Sequence, residues 1–264
     1  MDNVTPGGRY LGARKDRFDA RDAAVQITGH LGIAAPLPPR ADVLAGLKLP
    51  VYDQGNLGSC TANTGALFRR WLAQRFPALS AGDQDLSRLF LYYEERALPW
   101  NNSTGQDSGA EIRDIFKVLS ATGICPEADD PYNIRKFTAP PSEKDITDAK
   151  AYRIGAYHRL VGLHTAKSCL ASGYPVAVGF PVYESFDSIG ADGVMPVPKP
   201  GEQPLGGHAV FCHGYDDERA ALVIQNSWGP KWGAAGHFYM PYAFVEQYAA
   251  QIDLWTAHLG PKWA

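Results

Sequence analysis

The sequence has few cysteines, little net charge and no long apolar run. Its four cysteines among 264 residues are too sparse for a disulfide-stapled scaffold, and none forms the Cys-x-x-Cys pair typical of structural zinc. A net charge of −3 provides no basic surface for a nucleic acid or an anionic membrane. The longest apolar runs fall far short of the ~20 residues that span a bilayer. We therefore predict neither a nucleic-acid partner nor a membrane span.

The N-terminus lacks a secretory pattern. Residues 1–8 are not a basic region followed by an apolar stretch. The sequence leaves the compartment open: the default is a cytoplasmic protein, whose thiols stay reduced, and secretion stays possible if a leader precedes the given residues.

A turn-rich run over residues 53–59 ends on Cys60, and an apolar helical pattern starts directly behind it. Cys60 would thus lie at a helix N-terminus, where the macrodipole favours negative charge and lowers the pKa of a thiol. The resulting thiolate would be a good nucleophile. Gln54 precedes it by six positions, and a turn would bring its side-chain amide beside the sulfur as a donor to a developing oxyanion.

Helical spacing dominates the first half of the chain, and strand patterns dominate the second. After the Cys60 helix, which runs to about residue 76, we predict helices over 83–98, 109–122 and 165–173. The third of these four helices would start with a capping box, Ser108-x-x-Glu111. Strands are predicted over 175–180, 208–215, 221–226 and 236–240. Helices followed by strands indicate an α+β protein of two lobes with a cleft between them.

Composition divides the chain near residue 36. Residues 1–36 are polar and irregular, and the proline-rich run 36–40 marks a rigid, extended boundary. We predict an N-terminal extension over 1–36 and one domain over 37–264, with a helical lobe at about 50–125 and a β lobe at about 150–264. The charged run 14–22 is either a solvated face or part of a pro-segment that lies on the domain.

A histidine and an asparagine with complementary chemistry lie far downstream. His208 opens an apolar strand and would point across the cleft, and Asn226 ends another strand just ahead of Trp228. An asparagine oxygen can fix the tautomer and orientation of an imidazole ring, and a tryptophan can shield that bond from water. A cysteine, a histidine and an orienting amide form the nucleophile–base–orienter set of covalent catalysis.

Three motifs resemble those of the papain-like cysteine peptidases, in the order that the family has them. They are Gln54-Gly55-Asn56-Leu57-Gly58-Ser59-Cys60, then Gly207-His208-Ala209-Val210 with Gly214-Tyr215, then Asn226-Ser227-Trp228-Gly229-x-x-Trp232-Gly233-x-x-Gly236. The similarity covers about residue 37 to the end and is greatest to a bacterial branch with a short pro-segment. It implies the papain-like fold, with a helical left lobe, an antiparallel, barrel-like right lobe, and the active site in the cleft between them.

That resemblance also implies a role for each motif residue. Cys60 is the nucleophile, His208 the general acid and base, and Asn226 the residue that orients His208. Gln54 and the backbone N–H of Cys60 form the oxyanion hole. The implied substrate-binding residues are Gly109, Ala110, Gly179, Gly207 and Trp228, and Gly109 is preferred over Ala110 for the backbone contact.

The chain departs from the family pattern in three places. Thr61 replaces the aromatic residue that usually follows the nucleophile. The extension is too short for the family's helical pro-domain, although it is long enough to cross the cleft. Gly179 replaces a larger apolar residue, which predicts a roomier specificity pocket bounded by Ala110 and Glu111, although the capping role is the preferred interpretation of Glu111.

We therefore predict a monomeric cysteine endopeptidase that needs no metal or cofactor and acts on peptides or proteins. A thiolate–imidazolium pair of Cys60 and His208 would attack the peptide bond and form an acyl-enzyme, with residues 1–36 as a possible inhibitor. Two other interpretations stay open, namely a glutamine deamidase or transpeptidase with the same triad, and a binding module whose cleft is blocked. Among the other three cysteines at most one disulfide can form, and Cys125 with Cys169 is the pair to test.

Overall fold

The computed structural model describes residues 4–22 and 36–260. These residues form six α-helices and nine strands. The helices are α1 (Cys60–Arg75), α2 (Arg88–Ala97), α3 (Ile112–Ala121), α4 (Glu143–Ala149), α5 (Gly162–Ala171) and α6 (Tyr242–Gln247). The strands are β1 (Ala13–Arg14), β2 (Arg40–Asp42), β3 (Ala110–Glu111), β4 (Ala156–Leu160), β5 (Val176–Tyr183), β6 (Pro204–Asp216), β7 (Ala221–Gln225), β8 (His237–Pro241) and β9 (Asp253–His258). The predicted α+β class, with helices ahead of most of the sheet, is confirmed.

The sheet is built around β6, which is its longest strand among the described residues. It pairs antiparallel with β5 and β7, and near its two ends with β1 and β2. Beyond β5 the sheet continues through β9 to β4, and beyond β7 it continues to β8. Most residues of β5, β6 and β9 are buried, since the strands are covered by helices or neighbouring strands.

Helix α1 joins the helical lobe to the sheet. Its Phe68 ring packs edge-on against Phe116 of α3 at 5.3 Å between ring centroids, and against Phe211 of β6 at 5.9 Å. All three rings are fully or almost fully buried. Strand β6 also carries His208. This aromatic contact therefore positions α1, which begins at Cys60, relative to the strand that carries the predicted base.

The predicted start of the third helix is wrong. Helix α3 begins at Ile112 with Glu111 as its N-cap, and the capping box is formed by Glu111 and Asp114. The Ser108 hydroxyl instead bonds to Ser103 and to the carbonyl of Gly109. Gly109 has a φ of +66°, which lies outside the range of a right-handed α-helix. The next two residues are extended and form β3.

Other boundaries differ from the prediction by a few residues, and some elements were missed. Helix α2 begins at Arg88 rather than 83, because the Ser87 hydroxyl caps it by accepting from Phe90 N–H at 3.0 Å. Helices α4 and α6 and strands β4 and β9 were not predicted. Strand β9 is buried at every residue, so it lacks the alternation that marks a half-exposed strand.

All four cysteines fall in the described part of the chain and are buried free thiols. The disulfide that the sequence allowed between Cys125 and Cys169 is therefore not formed.

Candidate active site

The turn that precedes α1 is held from both sides. Gly58 N–H donates to the Asp107 carboxylate at 3.0 Å, and the Asn63 side-chain amide donates back to the Ser59 carbonyl at 2.9 Å. Cys60 follows as the first residue of α1 and is fully buried. The predicted placement of Cys60 at a helix N-terminus is what the structure shows.

His208 lies on β6, and its tautomer follows from its hydrogen bonds. Its Nε2 lies 2.7 Å from Asn226 Oδ1, and that same oxygen accepts from the backbone N–H of Ser227 at 2.8 Å. Because the backbone N–H can only donate, the Asn226 atom must be oxygen, and His208 Nε2 must carry the hydrogen. Nδ1 of the neutral ring is then a bare acceptor, and it is buried with no hydrogen-bond partner among the described residues.

Trp228 covers this bond. Its ring lies 4.8 Å from the His208 ring between centroids, and the residue is almost fully buried. The Phe180 ring also packs against His208, with 5.9 Å between ring centroids. The His208–Asn226 pair is therefore enclosed by aromatic rings and kept from water, which strengthens a hydrogen bond.

Gln54 is oriented by a residue that sequence analysis did not single out. The Ser227 hydroxyl donates to Gln54 Oε1 at 2.8 Å, which turns the amide nitrogen toward the cleft. That nitrogen donates to the Leu57 carbonyl at 2.9 Å and to the Tyr10 carbonyl at 3.1 Å. The second acceptor belongs to the N-terminal segment, by which we mean residues 4–22.

The N-terminal segment passes between the predicted catalytic residues. Gly12 accepts a hydrogen bond from Ala110 N–H at 2.9 Å, and its own N–H points at the Cys60 sulfur, as does the N–H of Ala209. Strand β1 pairs in parallel with β3 and opposes Gly207 of β6. The segment therefore contacts both lobes and covers the nucleophile.

The predicted substrate-binding residues fall in two places. Ala110 and Gly207 pair with the segment, and Gly109 lets it approach, since a Cβ on Gly109 would lie 1.9 Å from the Gly12 carbonyl oxygen. Gly179 lies farther along the sheet, on β5. The room expected from its missing side chain is taken by Ile112, whose Cγ1 lies 2.6 Å from the Cβ position.

Burial reverses the charge states that the helix dipole alone would favour. It raises the pKa of the Cys60 thiol to about 12, although the N–H groups of Ala209 and Gly12 oppose that shift. Burial also lowers the pKa of His208 to about 4, against the opposing effect of its bond to Asn226. With the segment in place, both shifts disfavour a thiolate–imidazolium ion pair between Cys60 and His208.

A group of charged residues attaches the segment to the domain, and sequence analysis did not predict their partners. Asp16 is buried, accepts from Arg113 N–H at 3.1 Å and from Trp255 Nε1 at 2.6 Å, and donates its own N–H to Asp253 at 2.9 Å. Arg17 pairs with Glu111 at 2.5 Å. Glu111 therefore caps a helix and also binds the segment. The one signal in the sequence was the charged run 14–22.

A second histidine of β6 lies outside the site. His213 packs against Asp42, with 3.0 Å from Nδ1 to Oδ1, on the far part of β6. In residues 4–22 and 36–260 no three His, Cys, Asp or Glu side chains gather as a metal-ion site would require. No helix in those ranges combines the length and apolar character that crossing a bilayer would take.

Known proteins resemble this chain in sequence. The model of the papain family cysteine proteases matches residues 38–253. An uncharacterized peptidase C1-like protein of Acanthamoeba polyphaga mimivirus is 37% identical over 221 residues, which are 78% of this chain and 69% of that protein. The thiol protease aleurain of Arabidopsis thaliana is 28% identical over 232 residues, which are 84% of this chain and 61% of that protein.

Solved structures agree with the sequence relatives. Xylellain, a cysteine protease from Xylella fastidiosa, superposes with a TM-score of 0.83 at 35% identity, over 94% of this chain and 95% of that one. A procathepsin B of Trypanosoma congolense superposes with a TM-score of 0.73 over 97% of this chain and 87% of that one, and at 18% identity it supports the fold alone. This chain therefore belongs to the papain family of cysteine proteases, a family of hydrolases, and has the papain-like two-lobe fold.

Proposed function

We propose that this protein is an endopeptidase that acts through Cys60, His208 and Asn226, and that its own N-terminal segment keeps it latent. The observation that carries the proposal is the bond from Gln54 to Tyr10. The amide that would stabilise an oxyanion already holds a backbone carbonyl, at 3.1 Å. This contact supports the proposal that the segment fills the site where a substrate would bind.

The geometry supports acyl transfer through a thioester. As Cys60 attacks the carbonyl carbon, its thiol proton passes to the bare Nδ1 of His208, whose Nε2 stays bonded to Asn226. The oxyanion accepts from Gln54 Nε2 and from the Cys60 N–H. His208 then gives its proton to the leaving amine, and a water molecule that it deprotonates hydrolyses the thioester and restores the thiol.

Departure of the segment would change the charge state of the pair. Water would replace Gly12 beside the sulfur, and the desolvation that raises the Cys60 pKa and lowers the His208 pKa would weaken. The Cys60 pKa would then fall and the His208 pKa would rise, and both changes favour transfer of the proton from the sulfur to the imidazole. The segment accordingly inhibits in two ways, by filling the cleft and by keeping the nucleophile neutral.

A time course on the full-length chain tests this proposal. Hydrolysis of a fluorogenic dipeptide is followed beside SDS gels, with Cys60→Ala as the matched control. We expect low initial activity that rises as an N-terminal fragment is lost, and neither change in Cys60→Ala. Equal hydrolysis by Cys60→Ala would reject the peptidase assignment, and full activity at the start without shortening would reject latency.

Mass spectrometry of a protein substrate distinguishes peptide hydrolysis from deamidation, transpeptidation and binding without reaction. New chain termini support the endopeptidase. Intact chains with deamidated glutamines or new isopeptide bonds would support a deamidase or transpeptidase with the same triad. Substrate that is bound but unchanged would support a binding module.

A further inference from the structure

Tyr132, in the loop between α3 and α4, bonds to both ends of the turn that leads into Cys60. Its hydroxyl oxygen lies 3.0 Å from the Gln54 carbonyl oxygen and 2.5 Å from the Ser59 hydroxyl oxygen. Gln54 and Ser59 are fully buried. A single hydroxyl group therefore connects the main chain of the residue that would donate to the oxyanion with the residue directly before the nucleophile.

The chemistry of the partners fixes the direction of each bond. A carbonyl can only accept, so the Tyr132 hydroxyl donates to Gln54, and its oxygen accepts from the Ser59 hydroxyl. Ser59 in turn accepts from the side-chain amide of Asn63 at 3.2 Å. Burial raises the pKa of Tyr132, which keeps the hydroxyl protonated and able to donate. Three bonds thus run in one direction from Asn63 to Gln54, and each strengthens the next in a buried setting.

The ring of Tyr132 is itself held in place. Its backbone N–H donates to the Glu127 carboxylate at 2.7 Å, and the Arg88 guanidinium lies over the ring at 3.9 Å from its centroid. Arg88 is the first residue of α2 and pairs with Glu127 at 3.3 Å. The hydroxyl therefore has a fixed position relative to α2, from which it can hold the turn that it contacts.

The tip of the turn has little packing of its own. Gly55 is exposed, and a Cβ there would meet no atom within 4 Å. Ser227 contacts Gln54 through the side-chain amide oxygen and the backbone N–H, at 2.8 and 2.9 Å, whereas Tyr132 bonds to the Gln54 carbonyl. The two proposed oxyanion donors, Gln54 Nε2 and the Cys60 N–H, lie at the two ends of this turn, so their separation depends on its shape.

We infer that Tyr132 is a positioning residue, which sets the separation of the two oxyanion donors by bonding to both ends of the turn between them. The inference rests on the proposed function and adds to it a residue that acts through Gln54 and Cys60. Without the hydroxyl, the Gln54 carbonyl loses its donor and the Ser59 hydroxyl loses its acceptor, so the turn would shift to satisfy both. Such a shift weakens bonds that form fully only in the transition state, and it should lower kcat rather than raise KM.

Tyr132→Phe tests the inference in the active form that the full-length chain yields in the time course above. With a fluorogenic dipeptide we expect kcat to fall about tenfold while KM stays within about twofold. Alkylation of Cys60 by iodoacetamide passes through no oxyanion, so its rate should stay within about twofold of the parent across the pH profile. In a Gln54→Ala background the effect of Tyr132→Phe on kcat should shrink to about twofold or less, because one of the two donors is already missing.

Tyr152→Phe is the matched control. The Tyr152 ring also lies under an arginine, with Arg69 at 5.6 Å, and its hydroxyl accepts from Gln84, yet neither partner belongs to the turn. This variant should leave kcat within about twofold of the parent.

Folded Tyr132→Phe with the kcat of the parent would overturn the inference and leave the proposed function intact. An equal loss in the alkylation rate would also overturn it, since the hydroxyl would then act on the nucleophile, and so would an undiminished effect in the Gln54→Ala background. If Tyr132→Phe does not fold, Ser59→Ala breaks the same chain of bonds and should lower kcat about threefold or more with alkylation unchanged. Ser59→Ala with an unchanged kcat would then overturn the inference. A parent enzyme that cleaves no peptide would overturn both this inference and the proposed function.

Discussion

Gly12 of the N-terminal segment lies so close to Gly58 that a Cβ on Gly12 would be 1.7 Å from the Gly58 carbonyl oxygen. The contact is between two backbones, so no side chain can move aside to relieve it. It holds the segment at the depth where the Gly12 N–H reaches the Cys60 sulfur. The proposed latency would therefore depend on the absence of a single methyl group at Gly12.

Gly12→Ala should activate the full-length protein. The added methyl group cannot fit against Gly58, so the segment would dock poorly and the cleft would open. We expect initial activity on a fluorogenic dipeptide to rise about tenfold or more over the full-length parent, before any shortening appears on gels.

The control for that variant is Gly105→Ala, where an added Cβ would have no atom within 4 Å. It should leave initial activity unchanged. A Gly12→Ala protein that is folded and as latent as its parent would show that this contact does not hold the segment.

Docking of the segment should weaken as the pH rises toward neutrality. Burial, and then the negative charge of Asp253, raise the pKa of docked Asp16 from 3.8 to about 7, against the hydrogen bonds from Arg113 and Trp255 and the charge of Arg113. Lys15 and Arg159 face Asp253 from the other side. The docked segment thus keeps a proton that the released segment loses, so docking is strongest in acid. The shift corresponds to a factor on the order of 10²–10³ in the docking equilibrium.

Hydrogen exchange at the Ala110 amide, which donates to the Gly12 carbonyl at 2.9 Å, measures that docking without relying on activity or on the Cys60 sulfur. After correction for the intrinsic effect of pH, its protection should fall between about pH 4 and pH 7 in Cys60→Ala, the interval between the released and docked pKa values of Asp16. Asp16→Asn in the same background removes the titrating carboxyl and should flatten the profile. Protection that rises with pH would contradict the assignment.

Ser227→Ala should impair catalysis by releasing Gln54. The lost hydroxyl is the donor that holds Gln54 Oε1 at 2.8 Å, and without it the amide can rotate away from the oxyanion. We expect kcat to fall about tenfold with little change in KM, less than the roughly 10²–10³-fold cost of Gln54→Ala. If Ser227→Ala lowers kcat equally when Gln54 is already alanine, the hydroxyl does not act through Gln54.

Thr61→Val should destabilise the fold near the nucleophile. The Thr61 hydroxyl donates to Glu95 Oε2 at 2.6 Å, and both residues are fully buried. The pKa of Glu95 is raised strongly by burial, and its other oxygen has no hydrogen-bond partner in the described chain. Removing the donor should lower the free energy of unfolding by about 1–3 kcal/mol. Urea denaturation in the Cys60→Ala background measures this, and a midpoint equal to that of the parent would contradict it.

The residues named for catalysis could be found from sequence because their signals are local. Cys60 is marked by the turn and helix around it, and Asn226 by the glycine-rich loop behind it. Their proposed roles still await the experiments above. By contrast, the partners of the charged run 14–22 are set by folding. Asp16 meets Asp253 across 237 positions of chain, and no local pattern encodes that contact.

The Cys60 pKa shows a second limit of sequence analysis. A helix N-terminus lowers the pKa of a thiol that water can reach, and the sequence shows that position correctly. It does not show that a separate segment covers the sulfur. Desolvation then outweighs the dipole and raises the pKa to about 12. The same missing information explains why the sequence predicts a cap at Ser108: β1 pairs with the stretch after Gly109, so the helix begins only at Ile112.

Because β1 and the cleft that it fills belong to one chain, the segment meets its site at an effective concentration that does not change with the concentration of the protein. Dilution cannot release a tethered inhibitor of this kind. A single cut anywhere between residues 22 and 36 changes the situation, because the segment then becomes a separate peptide whose occupancy depends on its own concentration. The proposed inhibition would then depend on dilution. Hydrolysis of one bond would turn a tethered inhibitor, whose occupancy does not depend on concentration, into a separate peptide that can dissociate.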